Sequence, residues 1–220
     1  MYAKEIMTEG LLPLDCADTG ATAMVRMHEY NVNQLPITHG ELYIGILSMD
    51  DLLVLKHLND PIKDIQAVLK KPYVLETAHL YEAMKAGVEY NVKVMPVVSA
   101  DGKYIGLITA ETCMRAFAKL YSVLEEGGVL ELSVSAKDYL LSEIAHIAED
   151  NGVKILSSYT QLDPSGTAVQ VTIKFDTIEL APLIAAYERY DYTVKGVFED
   201  EEYEMDSKDR YDALMRYLDV

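Results

Sequence analysis

YNVNQLPI (residues 30–37) and YNVKVMPVV (residues 90–98) decide how this chain is read. Each holds Tyr-Asn-Val with a proline four residues after the valine. The match extends in both directions. Ala23-Met24 precedes the first stretch and Ala83-Met84 the second, both at a spacing of 60 residues. Downstream, Tyr43-Ile44-Gly45 answers Tyr104-Ile105-Gly106 at a spacing of 61. The added residue falls in the turn, THGE in the first copy and SADGK in the second. A length change confined to a polar, glycine-bearing turn marks a repeat of structure, because turns absorb insertions that cores do not.

Each copy carries the same local signals. Asp18-Thr19 and Glu76-Thr77 are helix-start residues. Ala23, Met24, Met27 and His28 in the first copy, and Leu80, Ala83, Met84 and Val88 in the second, fall at helical spacing. QLPIT and VMPVVS predict short strands whose prolines sit where no ladder donor is needed. YIGILS and YIGLIT predict a second strand after the turn. MDDLLVLKHL (49–58) and AETCMRAFAKLYSVL (110–124) predict a closing helix. One such unit, of about 55 residues, cannot cover its own sheet, so two are expected to pack together.

This order resembles a tandem pair of CBS (cystathionine β-synthase) domains, the Bateman module, over roughly residues 1–121. The first copy contributes ADTGATAM, VNQLPI and GILSMDDLL, the second LETAHLYEAM, VKVMPVV and GLITAETCM. The resemblance implies an adenosine-containing ligand of the AMP, ADP or ATP kind in the clefts between repeats. It places Gly45 and Gly106 where a flat base approaches the backbone, and Ser48 and Thr109 at helix N-termini that favour a phosphate. Asp51 takes the position that accepts both ribose hydroxyls. The second copy departs there, with Thr112 in place of a carboxylate, so the first copy is expected to be the better ribose site. Lys93 stands where some members place a phosphate-contacting base, and the strand prolines Pro36 and Pro96 complete the set. Plainer roles stand beside these. Ser48 and Thr109 can be simple caps, Asp50 and Asp51 first-turn carboxylates, the glycines packing contacts and Lys93 a solvated side chain.

After Glu125–Gly128 the pattern changes. VLELSVS reads as a strand, and KDYLLSEIAHIAEDNG as a helix with Leu140, Ile144, Ile147 and Ala148 on one face and a stop at Asn151-Gly152. VKILSSYTQL and TAVQVTIKF read as strands joined by the turn DPSG. IELAPLIAAYERY is a helix with proline in its first turn, and YTVKGVF a last strand. The order βαββαβ matches a ferredoxin-like arrangement. Following a CBS pair, it resembles an ACT domain. ACT domains carry Pro-Gly in the loop after the first strand to admit an amino acid, and Asp138 and Tyr139 stand there instead. The resemblance therefore implies a module that pairs subunits.

The fold class expected is α+β, a CBS pair followed by a ferredoxin-like ACT-type domain. The expected divisions are residues 1–58, 59–124, 128–199 and 200–220. The last is an acidic linker and a short helix capped by Ser207, with Tyr211, Leu214, Met215 and Leu218 as its stripe. The whole resembles small bacterial CBS–ACT proteins of the acetoin-utilisation type.

Composition narrows the function. The 220 residues carry a formal charge of −17, with −4 on residues 1–120 and −13 on residues 121–220. Such a surface repels phosphate backbones and anionic bilayers, so neither nucleic acid nor membrane is an expected partner. Cys16 and Cys113 form no CxxC or CxxH unit, and the five histidines form no HxH or HxxxH pair, so no metal is expected. No nucleophile–base set can be argued from spacing, so no catalytic residue is assigned. The expectation is a cytoplasmic, homodimeric regulatory protein that senses an adenosine nucleotide and passes the signal to a protein target. The alternatives are a ligand-free dimeric interaction protein and an amino-acid sensor working through the ACT-like half.

Overall fold

The computed structural model describes residues 1–55 and 57–198. The linker and helix expected over 200–220 lie outside the described residues. The chain divides into two compact units, Met1–Phe117 and Ala118–Val220.

The first unit holds both repeats. In the first copy, β1 (Leu14–Asp15), β2 (Gln34–His39) and β3 (Leu42–Ser48) form a three-stranded sheet with β2 central. Helix α2 (Gly20–Glu29) lies between β1 and β2 in the chain. In the second copy, β4 (Val74–Leu75), β5 (Val94–Val98) and β6 (Tyr104–Thr109) repeat the sheet, with helix α3 (Leu80–Tyr90) between its first two strands. The register repeats too. Each antiparallel pair slips by one residue just after a glycine pairing, Ile37 with Gly45 and Val97 with Gly106. The same bulge at equivalent places shows that the sequence repeat encodes backbone detail and not only apolar pattern.

Pro36 opposes Ile46, and Pro96 opposes Leu107. Ile46 N–H turns away from β2 to the Lys70 carbonyl (2.9 Å), and Leu107 N–H turns away from β5 to the Thr8 carbonyl (3.1 Å). The prolines therefore occupy non-hydrogen-bonded pairs, where the neighbouring strand asks for no donor.

These two bonds also reveal a crossing. The segment leading into each copy lies along the sheet of the other. Thr8 N–H donates to the Leu107 carbonyl (2.8 Å). Tyr104 OH donates to the Leu11 carbonyl (3.1 Å), and Tyr43 OH to the Pro72 carbonyl (2.7 Å). Burial pushes the Tyr43 and Tyr104 phenols above their usual range, which keeps both as donors. Helix α1 (Ala3–Ile6) places Ala3 and Ile6 in the core of the second copy, with Val74, Leu80, Met95, Val97 and Ile108. Ile62, Ile65 and Leu69 complete the core of the first, with Leu14, Met27, Leu35, Ile37 and Leu47. Ile46, Val94 and Leu107 join the copies in a shared buried cluster.

Three local expectations are corrected. The helix expected over 49–58 is only a 3-10 turn, Asp51–Val54, after which Leu55 is extended. The carbonyls of Leu58 and Asp60 are committed to the free N–H groups of Ala21 (2.8 Å) and Gly20 (3.3 Å) in the first turn of α2. Pro61 also disfavours helix at the residue before it. Helix α3 starts at Leu80, capped by His79, and not at Glu76-Thr77. His79 N–H bonds Glu82 Oε1 (3.0 Å) while the His79 ring accepts from Tyr81 N–H (3.3 Å), a reciprocal cap that fixes the later start. Val88, assigned to the apolar stripe of this helix, is 81% exposed.

The second unit begins at Ala118, within the last turn of helix α4 (Ala110–Leu120). Its elements are β7 (Val129–Ser135), α5 (Leu141–Asp150), β8 (Ile155–Leu162), β9 (Ala168–Phe175), α6 (Ala181–Arg189) and β10 (Thr193–Phe198). They form one antiparallel sheet of order β10-β7-β9-β8. The alternating residues Leu130, Leu132, Val171 and Ile173 are buried against Ile144, Ile147, Leu183 and Tyr187 of the two helices. Leu140 does not join this face; it is the residue before α5 and is exposed.

Candidate functional site

Ser48 and Asp51 end β3 and open the 3-10 turn that follows. Ser48 N–H (2.7 Å) and Ser48 Oγ (2.5 Å) both donate to Asp51 Oδ2, and Asp51 N–H donates back to Ser48 Oγ (3.2 Å). Thr109 and Thr112 repeat the arrangement at the end of β6. Thr109 N–H donates to Thr112 Oγ1 (2.9 Å), Thr112 N–H to Thr109 Oγ1 (3.1 Å), and Thr112 Oγ1 to the Thr109 carbonyl (3.1 Å). Both pairs are capping boxes that satisfy otherwise open N–H groups. Among the described residues, Asp51 Oδ1 receives no protein donor, whereas the Thr112 hydroxyl is used in both senses.

A cleft of about 1050 Å³ lies between the copies. Its first-copy wall runs through His28, Tyr30, Asn31 and Asn33 at the end of α2. Its second-copy wall carries Lys93, Thr109, Glu111, Thr112 and Arg115. Thr8 and Leu11 of the crossing segment also line it. Lys93 is positioned by its backbone, whose N–H donates to Gln34 Oε1 of the first copy (2.8 Å). Its side chain has no carboxylate partner among the described residues. Arg115 Nη2 meets Glu111 Oε1 at 2.8 Å, one turn apart on α4, and both side chains are well exposed.

The structure thus brings Lys93 and Thr109 together and leaves Ser48, Asp51, Gly45, Gly106, Pro36 and Pro96 off the lining of this cleft. The two glycines face the crossing segments. A Cβ at Gly45 would stand 3.0 Å from the Lys70 carbonyl oxygen, and one at Gly106 would stand 2.9 Å from Met7 Sδ and 3.0 Å from the Thr8 carbonyl oxygen. Sequence reasoning missed Arg115, Glu111, His28 and Tyr30 as lining residues. Arg115 stands three residues after Thr112, a spacing that puts both on one helix face and was visible in the sequence.

The sequence model of the CBS domain matches residues 3–57 and again residues 62–119. The chain belongs to the CBS-domain family. A curated relative of this CBS pair is the inosine-5'-monophosphate dehydrogenase of Korarchaeum cryptofilum, 23% identical over 164 residues. That match covers 68% of this chain and 34% of the enzyme, so the chain spans about a third of the relative's length. Similar solved structures include a CBS domain pair/ACT domain protein of Thermotoga maritima, 20% identical, covering 54% of this chain and 98% of that one, with a TM-score of 0.49. Another is CBSX2 in complex with AMP, 24% identical, covering 54% and 96%, with a TM-score of 0.47. Hypoxic response protein I with two coordinated zinc ions is 22% identical, covering 52% and 98%, with a TM-score of 0.47.

Among the described residues of the CBS pair and the unit that follows it, no three His, Cys, Asp or Glu side chains are placed to share a metal ion. No helix among them is long and apolar enough to cross a membrane. One pairing that spacing did not show is Cys16 Sγ with His39 Nδ1, at 3.1 Å. Burial and then the Asp15 carboxylate push this thiol up, the opposite of what an activated nucleophile needs.

Proposed function

We propose that this chain is a regulatory protein whose CBS pair binds an adenosine-containing ligand of the AMP, ADP or ATP kind between its repeats. The observation that carries the reading is the cleft built from both copies, with a lysine that has no carboxylate partner among the described residues, an arginine and the start of α4 on one wall. A ligand touching both copies can shift their packing by as much as its affinities for two arrangements differ. Asp51, whose Oδ1 receives no donor among the described residues, and Ser48 form a second candidate position on the first copy, with Gly45 and Pro36 as further first-copy candidates. Gly106 and Pro96 are the corresponding second-copy candidates.

Residues 128–198 act, in this proposal, as an ACT-type domain. The strand order with the first and third strands central, and both helices on one face, supports it. Its task would be to pair subunits in a homodimer and relay the ligand signal to a protein target, in the manner of acetoin-utilisation-type CBS–ACT proteins. The reducing cytoplasm suits the two free thiols. A second reading, a ligand-free interaction module, is favoured by the Thr112 hydroxyl being already occupied.

A thermal-shift panel on nucleotide-stripped full-length chain separates these. A ligand at 100 times its dissociation constant adds about 2.7 kcal/mol of stability. The proposal expects a rise with at least one of AMP, ADP and ATP and none with amino acids. No rise with any nucleotide at millimolar concentration sinks it. A rise with an amino acid alone transfers the sensing role to the second unit.

A further inference from the structure

We infer that the large cleft selects its ligand by polyphosphate charge rather than by ribose, with Lys93 and Arg115 as its cations and Glu111 as an internal competitor for Arg115. This rests on the nucleotide reading and names the part of the ligand that this cleft recognises.

Three observations converge. On a chain of formal charge −17, Lys93 projects at a cleft wall with no carboxylate partner among the described residues. Among the described residues Arg115 is held by Glu111 alone, through a pair whose side chains are 77% and 66% exposed. An exposed pair of this kind binds its partners weakly, so a phosphate can take the guanidinium. The residue that would accept a ribose diol is Thr112, and its hydroxyl already donates to one Thr109 backbone group and accepts from the other. Threonine also lacks the second oxygen and the charge with which a carboxylate holds a diol.

Glu111 gives the device a threshold. Left in place, it takes Arg115 from a weakly charged ligand and repels that ligand's anion. A triphosphate overcomes both, because it engages Lys93 and Arg115 together. The cleft volume, at the upper end of the range for small-molecule sites, leaves room for adenine and a triphosphate.

The test is calorimetric titration of the full-length, nucleotide-stripped chain in an Asp51→Ala background, which removes the first-copy carboxylate. The probes are adenosine, AMP, ATP, 2',3'-dideoxy-ATP and inorganic tripolyphosphate, at fixed ionic strength without divalent cations. ATP should bind at least tenfold more tightly than AMP, and dideoxy-ATP within about twofold of ATP. Lys93→Gln and Arg115→Gln should each weaken ATP about tenfold while leaving adenosine unchanged. Glu111→Gln should tighten AMP about threefold and narrow the ATP-to-AMP ratio. A tenfold loss on removing the ribose hydroxyls overturns the inference, as does weaker ATP binding by Glu111→Gln, which would make Glu111 the diol acceptor. Tripolyphosphate binding as tightly as ATP would support the charge selection and remove the nucleotide reading. Binding of none of the probes overturns the inference, and the same titration on the chain with Asp51 intact then decides the nucleotide reading, which fails if that chain also binds none. Unchanged thermal unfolding of the ligand-free variants separates lost binding from lost fold.

Discussion

Gly106→Ala tests the crossing of the lead-in segments more sharply than any deletion. The added methyl would stand 2.9 Å from Met7 Sδ and 3.0 Å from the Thr8 carbonyl oxygen. The thioether can swing aside. The carbonyl cannot, because Thr8 is bound to Leu107 in both directions at 2.8 and 3.1 Å. Inserting a methyl into such a contact costs about 1–3 kcal/mol. Stretching the two backbone bonds adds a fraction of the roughly 0.5–1.5 kcal/mol that each contributes. A loss of about 2 kcal/mol is expected, or roughly 1 M in urea midpoint at a typical slope for this size. Gly87→Ala supplies the control. Gly87 lies inside α3, and its Cβ would meet only the Val92 carbonyl oxygen at 3.8 Å. Relief of glycine's entropy should raise stability there by about 0.5–1 kcal/mol. Urea unfolding of the two variants beside wild type is the assay. A Gly106→Ala midpoint equal to wild type, with Gly87→Ala stabilised as expected, would refute the view that the bare glycine exists to admit the crossing segment.

Three further outcomes follow from the same geometry. Ser48→Ala removes a cap shared with Asp51 and should cost about 1 kcal/mol, read as a lowered thermal midpoint in ligand-free protein. Tyr187→Phe deletes a buried bond from Tyr187 OH to the Ile144 carbonyl (3.0 Å) and should cost about 1 kcal/mol, which urea unfolding would detect. Burial raises the phenols of Tyr43, Tyr104, Tyr187 and Tyr192, so the unfolded chain loses these protons first as pH climbs past the ordinary tyrosine range. Stability should be intact below about pH 10 and then fall, with each fully buried tyrosine adding up to about 1.4 kcal/mol per pH unit to the slope. A flat urea midpoint between pH 9 and 11 would contradict this.

Much of the fold was legible because its signals are local or periodic. The doubled Tyr-Asn-Val…Pro, the glycine strands and the alternation of residues 129–135 and 168–175 all fall on the elements they predict. What escaped depends on distant partners. Nothing near Leu58 or Asp60 says that their carbonyls serve the first turn of α2, so a helix was expected where the chain bends away. Nothing in MYAKEI places Ala3 and Ile6 in a core built from residues 74–116. The candidate site was half legible. Lys93 and Thr109 came from motif position, but Thr112 drew attention away from its own copy, and with it from Arg115 on the same helix face. Cys16 and His39, 23 residues apart, meet only because β1 runs parallel to β2.

The crossing of the lead-in segments also has a consequence for synthesis. Thr8 leaves the ribosome about 100 residues before the strand that receives it, and Ala3 about 75 residues before the Ala78 carbonyl to which it donates. At roughly 5–20 residues per second, this lead-in segment must wait several seconds for its partners. During that wait the first copy can already use Lys70 to seal the edge of β3, since its own sealing strip is translated directly after it. The second copy takes its strip from the segment ahead of the first copy, and so must reach back to chain made earlier. Its completion therefore closes the pair like a clasp, and a stalled chain ending before residue 107 would leave Thr8 without its Leu107 partner and that stretch open to proteases.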